Sequence, residues 1–309
     1  MKMTADSIES ILFGLALGDA LGYPVEFLKR ETIRQKFGAG GIQNPPNPAL
    51  YSDDTQMTLA LAEGLLDAGI NASVDSLMQA VGKRFVEWLD SPDNNRAPGT
   101  TCIKGVKRFR LGTSWRESGL AGSKGCGSAM RVASLGFIYQ HDESRLREIA
   151  TATSLITHRH PTAIAATVAA AYLIKLALDD VPIASYMPRL YEFTTGISDE
   201  FDLAILRVGH VLGWTNEDLA LDHIGQGWVG EEAVALALYC VLRYPDDYLA
   251  CMRCAANTNG DSDSIACIAG GIMGARLGLE AIPVDWRSRC ENASGIANVA
   301  HRLAVARNV

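Results

Sequence analysis

Asn259-Gly260-Asp261-Ser262-Asp263-Ser264 sets two carboxylates and a hydroxyl at alternating positions, just before Ile265-Ala266-Cys267-Ile268-Ala269-Gly270-Gly271. That small-residue run reads as the start of a buried helix. A helix start has a plain use for Asp or Ser, whose oxygens accept hydrogen bonds from the unpaired N–H groups of the first turn. One acceptor serves one cap. The second carboxylate is surplus, and two like charges this close repel unless a cation, a proton or strong donors compensate. Far earlier in the chain, Ser52-Asp53-Asp54-Thr55 opens another apolar periodic segment, Met57 through Leu66. Each cluster alone reads as a helix cap. Together they point to an oxygen-lined site for a hard divalent cation such as magnesium.

Other stretches could work on a ligand beside such a site. Pro24 should end the first helix and project Glu26, flanked by Val25 and Phe27, into a loop. Partial burial would raise the Glu26 pKa, as a general acid near neutral pH requires. Asn94–Thr101 is turn-rich, and the glycine-rich Ala121–Ser128 is expected to run into a helix at Ala129-Met130-Arg131. Backbone N–H groups at such a junction approach an anion closely, so the stretch suits a phosphate cradle or a simple tight turn; it is not a Walker loop. In Thr157-His158-Arg159-His160-Pro161 two histidines precede a helix entry without a third nitrogen or sulfur ligand nearby. One of them is read as a donor to a ligand phosphate or ribose, the other as structural. The lone CxxC of Cys251-Met252-Arg253-Cys254 lies in a helical pattern and reads as structural.

The elements that must position these groups are helices. Apolar periodicity predicts them over Ser7–Leu21, Asp53–Ala68, Val74–Leu89, Met130–Ile138, Leu146–Ile156, Thr162–Leu178, Phe201–Val211 and Glu231–Leu242. Alternating strand patterns are scarce, which predicts an all-α fold of helices packed on helices. Nothing resembles a linker, so the 309 residues are expected to form a single domain, 1–309. Hydrophobic residues make up 48% of the chain, enough for a large core. The net charge of −7 leaves no basic footprint for a nucleic-acid partner. Thr162–Leu178 is interrupted by Lys175 and is read as a core helix rather than a membrane span. The acidic N-terminal stretch lacks a basic n-region and is not expected to be a signal peptide. Seven cysteines without framework spacing fit a reducing, cytoplasmic setting.

Five stretches taken in order resemble the ADP-ribosylglycohydrolases: Gly18-Asp19-Ala20-Leu21-Gly22 with Glu26, Ser52-Asp53-Asp54-Thr55, Gly127-Ser128-Ala129-Met130-Arg131, Thr157-His158, and Gly260-Asp261-Ser262-Asp263-Ser264. The likeness runs from Ile11 to about Gly278. It implies a compact all-helical domain with a dinuclear cleft holding Mg2+ or Mn2+. By the same resemblance Ser52, Asp53, Asp54, Asp261, Asp263 and Ser264 are metal ligands, Glu26 and Asp54 are catalytic, and Gly99, Gly122, Ser123 and His158 hold the phosphates and ribose. Lys124 and Cys126 depart from the family pattern, where some relatives have an aromatic residue at the first position and many have Asn at the second.

The implied reaction is attack of water at the ribose anomeric carbon, releasing ADP-ribose from a modified protein. Ser52-Asp53-Asp54-Thr55-Gln56-Met57 looks closer to the arginine-specific and nitrogenase-reductase branches than to the serine branch. Alternatives are a hydrolase of serine-linked or other O-linked ADP-ribose, and a non-catalytic ADP-ribose-binding protein on the same fold. Two rival enzyme classes fit poorly. An isoprenoid synthase needs D-D-x-x-D, whereas Asp53-Asp54 runs into Thr55-Gln56-Met57, and a dehalogenase-type phosphatase needs D-x-D after a strand, whereas Asp261 follows Ala256-Asn257-Thr258-Asn259.

Overall fold

Glycines spaced four apart let the first long helix and a late one, Ser262–Leu277, touch backbone to backbone. In the computed structural model, which describes residues 4–308, a Cβ on Gly18 would stand 2.1 Å from Ala266 O and one on Gly14 2.3 Å from Gly270 O. A Cβ on Gly22 would stand 2.4 Å from Ser262 O, and one on Gly274 2.1 Å from Ser10 O. The pairing is antiparallel. It therefore brings the C-terminal end of the first helix, with Asp19, beside the N-terminal end of the late one, with Asp261, Asp263 and Ser264.

In chain order the helices are α1 (Thr4–Gly22), α2 (Arg30–Phe37), α3 (Asp53–Ala68), α4 (Val74–Leu89), α5 (Thr100–Arg110), α6 (Trp115–Ser118), α7 (Ala133–Ile138), α8 (Glu143–Leu155) and α9 (Pro161–Leu178). They continue with α10 (Tyr186–Thr194), α11 (Asp199–Val211), α12 (Glu217–Ile224), α13 (Gly230–Arg243), α14 (Tyr248–Ala256), α15 (Ser262–Leu277), α16 (Val284–Arg289) and α17 (Ala293–Arg307). Among the described residues β-structure is confined to isolated bridges, such as Gly125 with Val229. The fold is all-α around one continuous apolar core.

α9 and α15 run through the middle of that core. Long stretches of both are buried on every side, which is why their sequences are apolar or small throughout instead of amphipathic. The segments Asp6–Val25 and Pro161–Leu178 are long and apolar enough to cross a membrane, yet 83% and 78% of them are buried against the rest of the chain. The loop before α3 is pinned to α14, where Asn257 Oδ1 accepts from Ile42 N at 2.8 Å and Arg253 Nε donates to Gln43 O at 3.1 Å. Cys251 and Cys254 are buried on α14, with Cys254 Sγ packed 3.3 Å from Cys240 Sγ, and all seven cysteines are free thiols.

One expected helix start is corrected. The glycine-rich stretch does not enter a helix at Ala129; Cys126–Ser128 makes a single 3-10 turn and α7 begins only at Ala133. The intervening Arg131 is turned fully inward, its guanidinium donating to Gly127 O, Thr153 O and Thr157 Oγ1. That inward anchor accompanies the broken helical path.

The close contact of α1 and α15 yields a prediction. Gly18→Ala should destabilise the protein by about 1–3 kcal/mol, because its methyl meets backbone that cannot step aside. A denaturation midpoint equal to that of the unsubstituted chain would contradict the packing described.

Candidate active site

Asp19 ties the two acidic clusters together. It lies on α1 and is fully buried, and its carboxylate caps α3: Oδ1 accepts from Ser52 N at 2.8 Å, while Oδ2 accepts from Thr55 N at 3.0 Å and Thr55 Oγ1 at 2.6 Å. With Asp19 serving the orphan N–H groups of the α3 start, Asp53 and Asp54 are released from that task. Asp53 Oδ2 instead accepts from Gly99 N at 3.1 Å, and Asp54 Oδ2 has no hydrogen-bond partner although it is buried.

The other cluster repeats the pattern. Asp261 precedes α15 without making a side-chain cap. Its Oδ2 is approached by the Cys126 thiol at 2.8 Å, and Asp263 Oδ1 accepts from Ser264 N at 2.9 Å. The Ser52 hydroxyl lies against Asp263 and opposes the burial that raises the pKa of that carboxyl, so the two clusters meet here.

Glu26 is swung in from the turn after α1. The chain beyond it is fixed by Arg30, whose N–H donates to Asn259 Oδ1 at 2.8 Å and whose guanidinium pairs with Asp222 at 3.0 Å. Asn259 leads into Asp261, so this link, with those from Lys29 Nζ to Asn259 O and Arg30 Nε to Asn257 O, ties the Glu26 turn to the loop before α15. Ligand atoms of Glu26, Asp261 and Asp263 all fall within 4.8 Å of one another. Glu26 Oε2, like Asp54 Oδ2, is buried and unpartnered.

These groups form the floor of a cleft of about 340 Å³, lined by Glu26, Asp53, Asp54, Asp261, Asp263 and Ser264. At its mouth Phe27 and Trp228 stack with ring centroids 5.6 Å apart and planes 15° from parallel. His158 closes one wall. Arg131 Nη2 donates to Thr157 Oγ1 at 2.8 Å, and that hydroxyl lies 2.9 Å from His158 Nδ1. The hydroxyl, accepting from Arg131, is free to donate its own proton to Nδ1, and in that tautomer the ring carries its proton on Nε2, beside Gly125 and Gly127. Burial and the Arg131 charge push the His158 pKa down to about 3, so the ring is a neutral donor.

The sequence-derived site residues separate into groups. Ser52 is buried at the foot of the cluster, while the four aspartates, Ser264, Glu26, Gly99 and His158 line the cleft. Gly99 spends its N–H on Asp53. Gly122 stands exposed outside the lining, and Ser123 reaches the cleft only through its hydroxyl bond of 2.9 Å to Thr101. Lys124 is held by Glu231 at 2.8 Å and Glu200 at 2.9 Å. His160 caps α9, its Nδ1 accepting from Thr162 N at 3.2 Å. Asp19 and Arg131, which organise the site, lie within two of the motif stretches, but the sequence attaches no individual role to either. For Asp19 the further signal is a charged residue inside an otherwise apolar helical face.

The carboxylates fit a divalent cation. Burial, with the charge of Asp263 next, raises the Asp19 pKa to about 7. Burial, then Asp263 and Asp261, raises Glu26 to about 10. Asp53, Asp54 and Asp261 are held well above the carboxylate range, by burial first in each case. A desolvated all-oxygen set with unpartnered atoms is the donor chemistry of a hard cation.

The sequence pattern of the ADP-ribosylglycohydrolase family matches residues 2–309, and the chain belongs to that family. It is accordingly a hydrolase that removes ADP-ribose. The ADP-ribosyl-[dinitrogen reductase] glycohydrolase of Rhodospirillum rubrum is 26% identical over 90% of this chain and 88% of its own. The ADP-ribosylhydrolase ARH3 of Mus musculus is 26% identical over 94% of this chain and 90% of its own. A solved structure described as an ADP-ribosylglycohydrolase-related protein complex superposes with a TM-score of 0.76 at 25% identity, covering 99% of this chain and 100% of that one.

Two measurements follow from the cluster. Its carboxylates are protonated in the cation-free folded chain at pH values where the unfolded chain, with ordinary pKa near 4, has lost those protons. The stability they contribute is therefore present below about pH 4 and is lost as pH rises through about 7 for Asp19 and about 10 for Glu26. Chelator-treated protein should melt at lower temperature at pH 9 than at pH 6, and a divalent cation should raise the melting temperature more at pH 9; an equal rise at both would count against the cluster as cation site. Asp19→Ala leaves buried donors unpaired and should cost about 1–3 kcal/mol in urea unfolding, whereas an unchanged midpoint would remove Asp19 from its capping role.

Proposed function

We propose that this chain hydrolyses the N-glycosidic bond between ADP-ribose and arginine in a modified protein, with divalent cations held by Ser52, Asp53, Asp54, Asp261, Asp263 and Ser264. The observation that carries the reading is the pair of buried, unpartnered oxygens, Glu26 Oε2 and Asp54 Oδ2, facing one cleft with Asp261 and Asp263. Mg2+ or Mn2+ bound there would offset the gathered charge, hold the adjacent ribose hydroxyls and acidify a water.

The reaction passes through an oxocarbenium-like transition state, which carboxylates stabilise by charge and by proton transfer. Asp54 takes the proton of the attacking water at its free Oδ2. Glu26 Oε2 holds a proton for the leaving group or accepts the ribose 2-hydroxyl. His158 donates Nε2–H to a ribose or phosphate oxygen, and its neutrality keeps that donor unchanged over the working pH range. The Phe27 and Trp228 rings at the mouth suit the arginine linkage, since a flat guanidinium stacks on aromatic faces. The seven free thiols suit a reducing, cytoplasmic setting.

Incubation with arginine-, serine- and nucleic-acid-linked ADP-ribose, with and without each metal, tests the assignment. Release should be fastest from arginine and should require the cation. Asp261→Ala and Asp54→Ala should lower it by about 10²–10⁴-fold. Turnover by chelated Asp261→Ala protein would refute the metal assignment, and faster release from serine would refute the linkage.

A further inference from the structure

α5 leads away from the rim of the cleft with one face uncovered. Thr100, its first residue, lines the cleft. Lys104, Lys107, Arg108 and Leu111 follow at intervals of three and four, so they share a stripe with Thr100 and continue it outward. All five are exposed, Leu111 by 84%, whereas Cys102, Gly105 and Val106 on the opposite face are buried. At the helical rise of about 1.5 Å per residue the stripe extends about 16 Å from the cleft. Its charge is not used up within the chain. Arg110, to one side of the stripe, is held by Asp90 at 2.7 Å, and Arg116 by Asp75 at 2.7 Å. Lys104, Lys107 and Arg108 make no ion pair among the described residues, and Arg108 donates only to Gly119 O at 3.4 Å. Cations in a last helical turn complement the dipole, which accounts for Lys107, Arg108 and Arg110 as local structure. That effect fades beyond the turn, so it explains neither Lys104 nor the exposed leucine. On a chain of net charge −7 the stripe is a local inversion of sign.

We propose that this face of α5 docks an acidic segment of the protein that carries the ADP-ribose. The proposal rests on the reading of the cleft as the place where that modification is removed. A protein that puts a modified side chain into the cleft must lie across its rim, and Thr100 sets the stripe on that rim. Carboxylates about 6–16 Å from the modified residue then meet Lys104, Lys107 and Arg108, with Leu111 as an apolar end point. Extended chain covers about 3.3 Å per residue, which places these carboxylates about two to five residues from the modified position. Nucleic acid fits the stripe less well. Surfaces that track phosphates line a groove with many cations, whereas this one is short, carries a leucine and stands on an acidic chain. Docking here selects among modified proteins without touching the scissile bond, so it acts on substrate capture, kcat/KM, and not on the chemical step.

The test is steady-state hydrolysis by the full chain, with Mg2+ or Mn2+ present, of peptides modified at a central residue. Glutamates, serines or lysines flank that residue about two to five positions away. Each set is made with arginine-linked and with serine-linked ADP-ribose, so that docking is read on whichever linkage is cleaved, and the free ADP-ribosyl amino acid serves as a substrate without flanks. At about 20 mM salt the glutamate set should exceed the serine set in kcat/KM by about tenfold, and about 300 mM salt should shrink that ratio. The triple variant Lys104→Glu, Lys107→Glu, Arg108→Glu should favour the lysine set instead. The milder Lys104→Gln, Lys107→Gln, Arg108→Gln protein should treat the sets alike. Both should cleave the free ADP-ribosyl amino acid at the unsubstituted rate, which shows that the cleft is intact. Equal kcat/KM for all flanks in the unsubstituted chain, or a glutamate preference that survives the substitutions, overturns the docking alone. Inhibition by a single-stranded oligonucleotide that the variants escape, without any flank preference, assigns the stripe to nucleic acid and also overturns it. No cleavage of any of these substrates overturns the functional reading and the docking with it.

Discussion

Negative charge gathered where water is scarce is the constraint on which this structure depends. Two unit charges less than 5 Å apart would repel by roughly 3–4 kcal/mol at an effective dielectric constant near 20, and Glu26, Asp261 and Asp263 come that close, so without a cation the site holds protons instead. The chain cannot relieve this by hydrogen bonds alone, since oxygens of Glu26 and Asp54 have none. Rigid backbone contact opposes the repulsion. The glycine face of α1 packs directly on the backbone of α15, which sets the ends bearing Asp19 and Asp263 beside each other.

Hydrogen bonding divides the labour among the acids. Asp19 shares the capping of α3 with Ser52, which leaves the Asp53 and Asp54 carboxylates free to face the cleft. Arg131 performs the corresponding service on the opposite wall. Its buried guanidinium orders Gly127 and Thr157, and Thr157 in turn holds the His158 ring through Nδ1. Neither Asp19 nor Arg131 lines the cleft, yet the donors and acceptors that do are oriented by them.

Much of this was legible in the sequence for identifiable reasons. α3 and α4 have the predicted bounds because each begins after a serine that caps it and carries an unbroken apolar face. The acidic clusters stood out because they hold more carboxylate than capping uses. α5 was missed because its exposed face carries Lys104, Lys107, Arg108 and Arg110, which dilute the apolar signal. α17 was missed because it starts after Asn292 in the left-handed conformation without a side-chain cap, so no start signal exists. The glycine-rich stretch misled for a different reason. Its glycines permit close approach of His158 and Cys102 side chains to a 3-10 turn, not entry into a helix. The function of Asp19 needs a partner on another helix, and no local pattern contains that information.

The stacked rings of Phe27 and Trp228 bear on how large a molecule the cleft can admit. They belong to two separate loops and close over the acids mainly through an aromatic contact worth about 0.5–1.5 kcal/mol beyond the area it buries. That ring–ring contribution adds little more than a factor of ten to what parting them costs a macromolecular substrate. The roof is thus a curtain rather than a wall, and a side chain projecting from a folded protein can draw it aside without the floor moving.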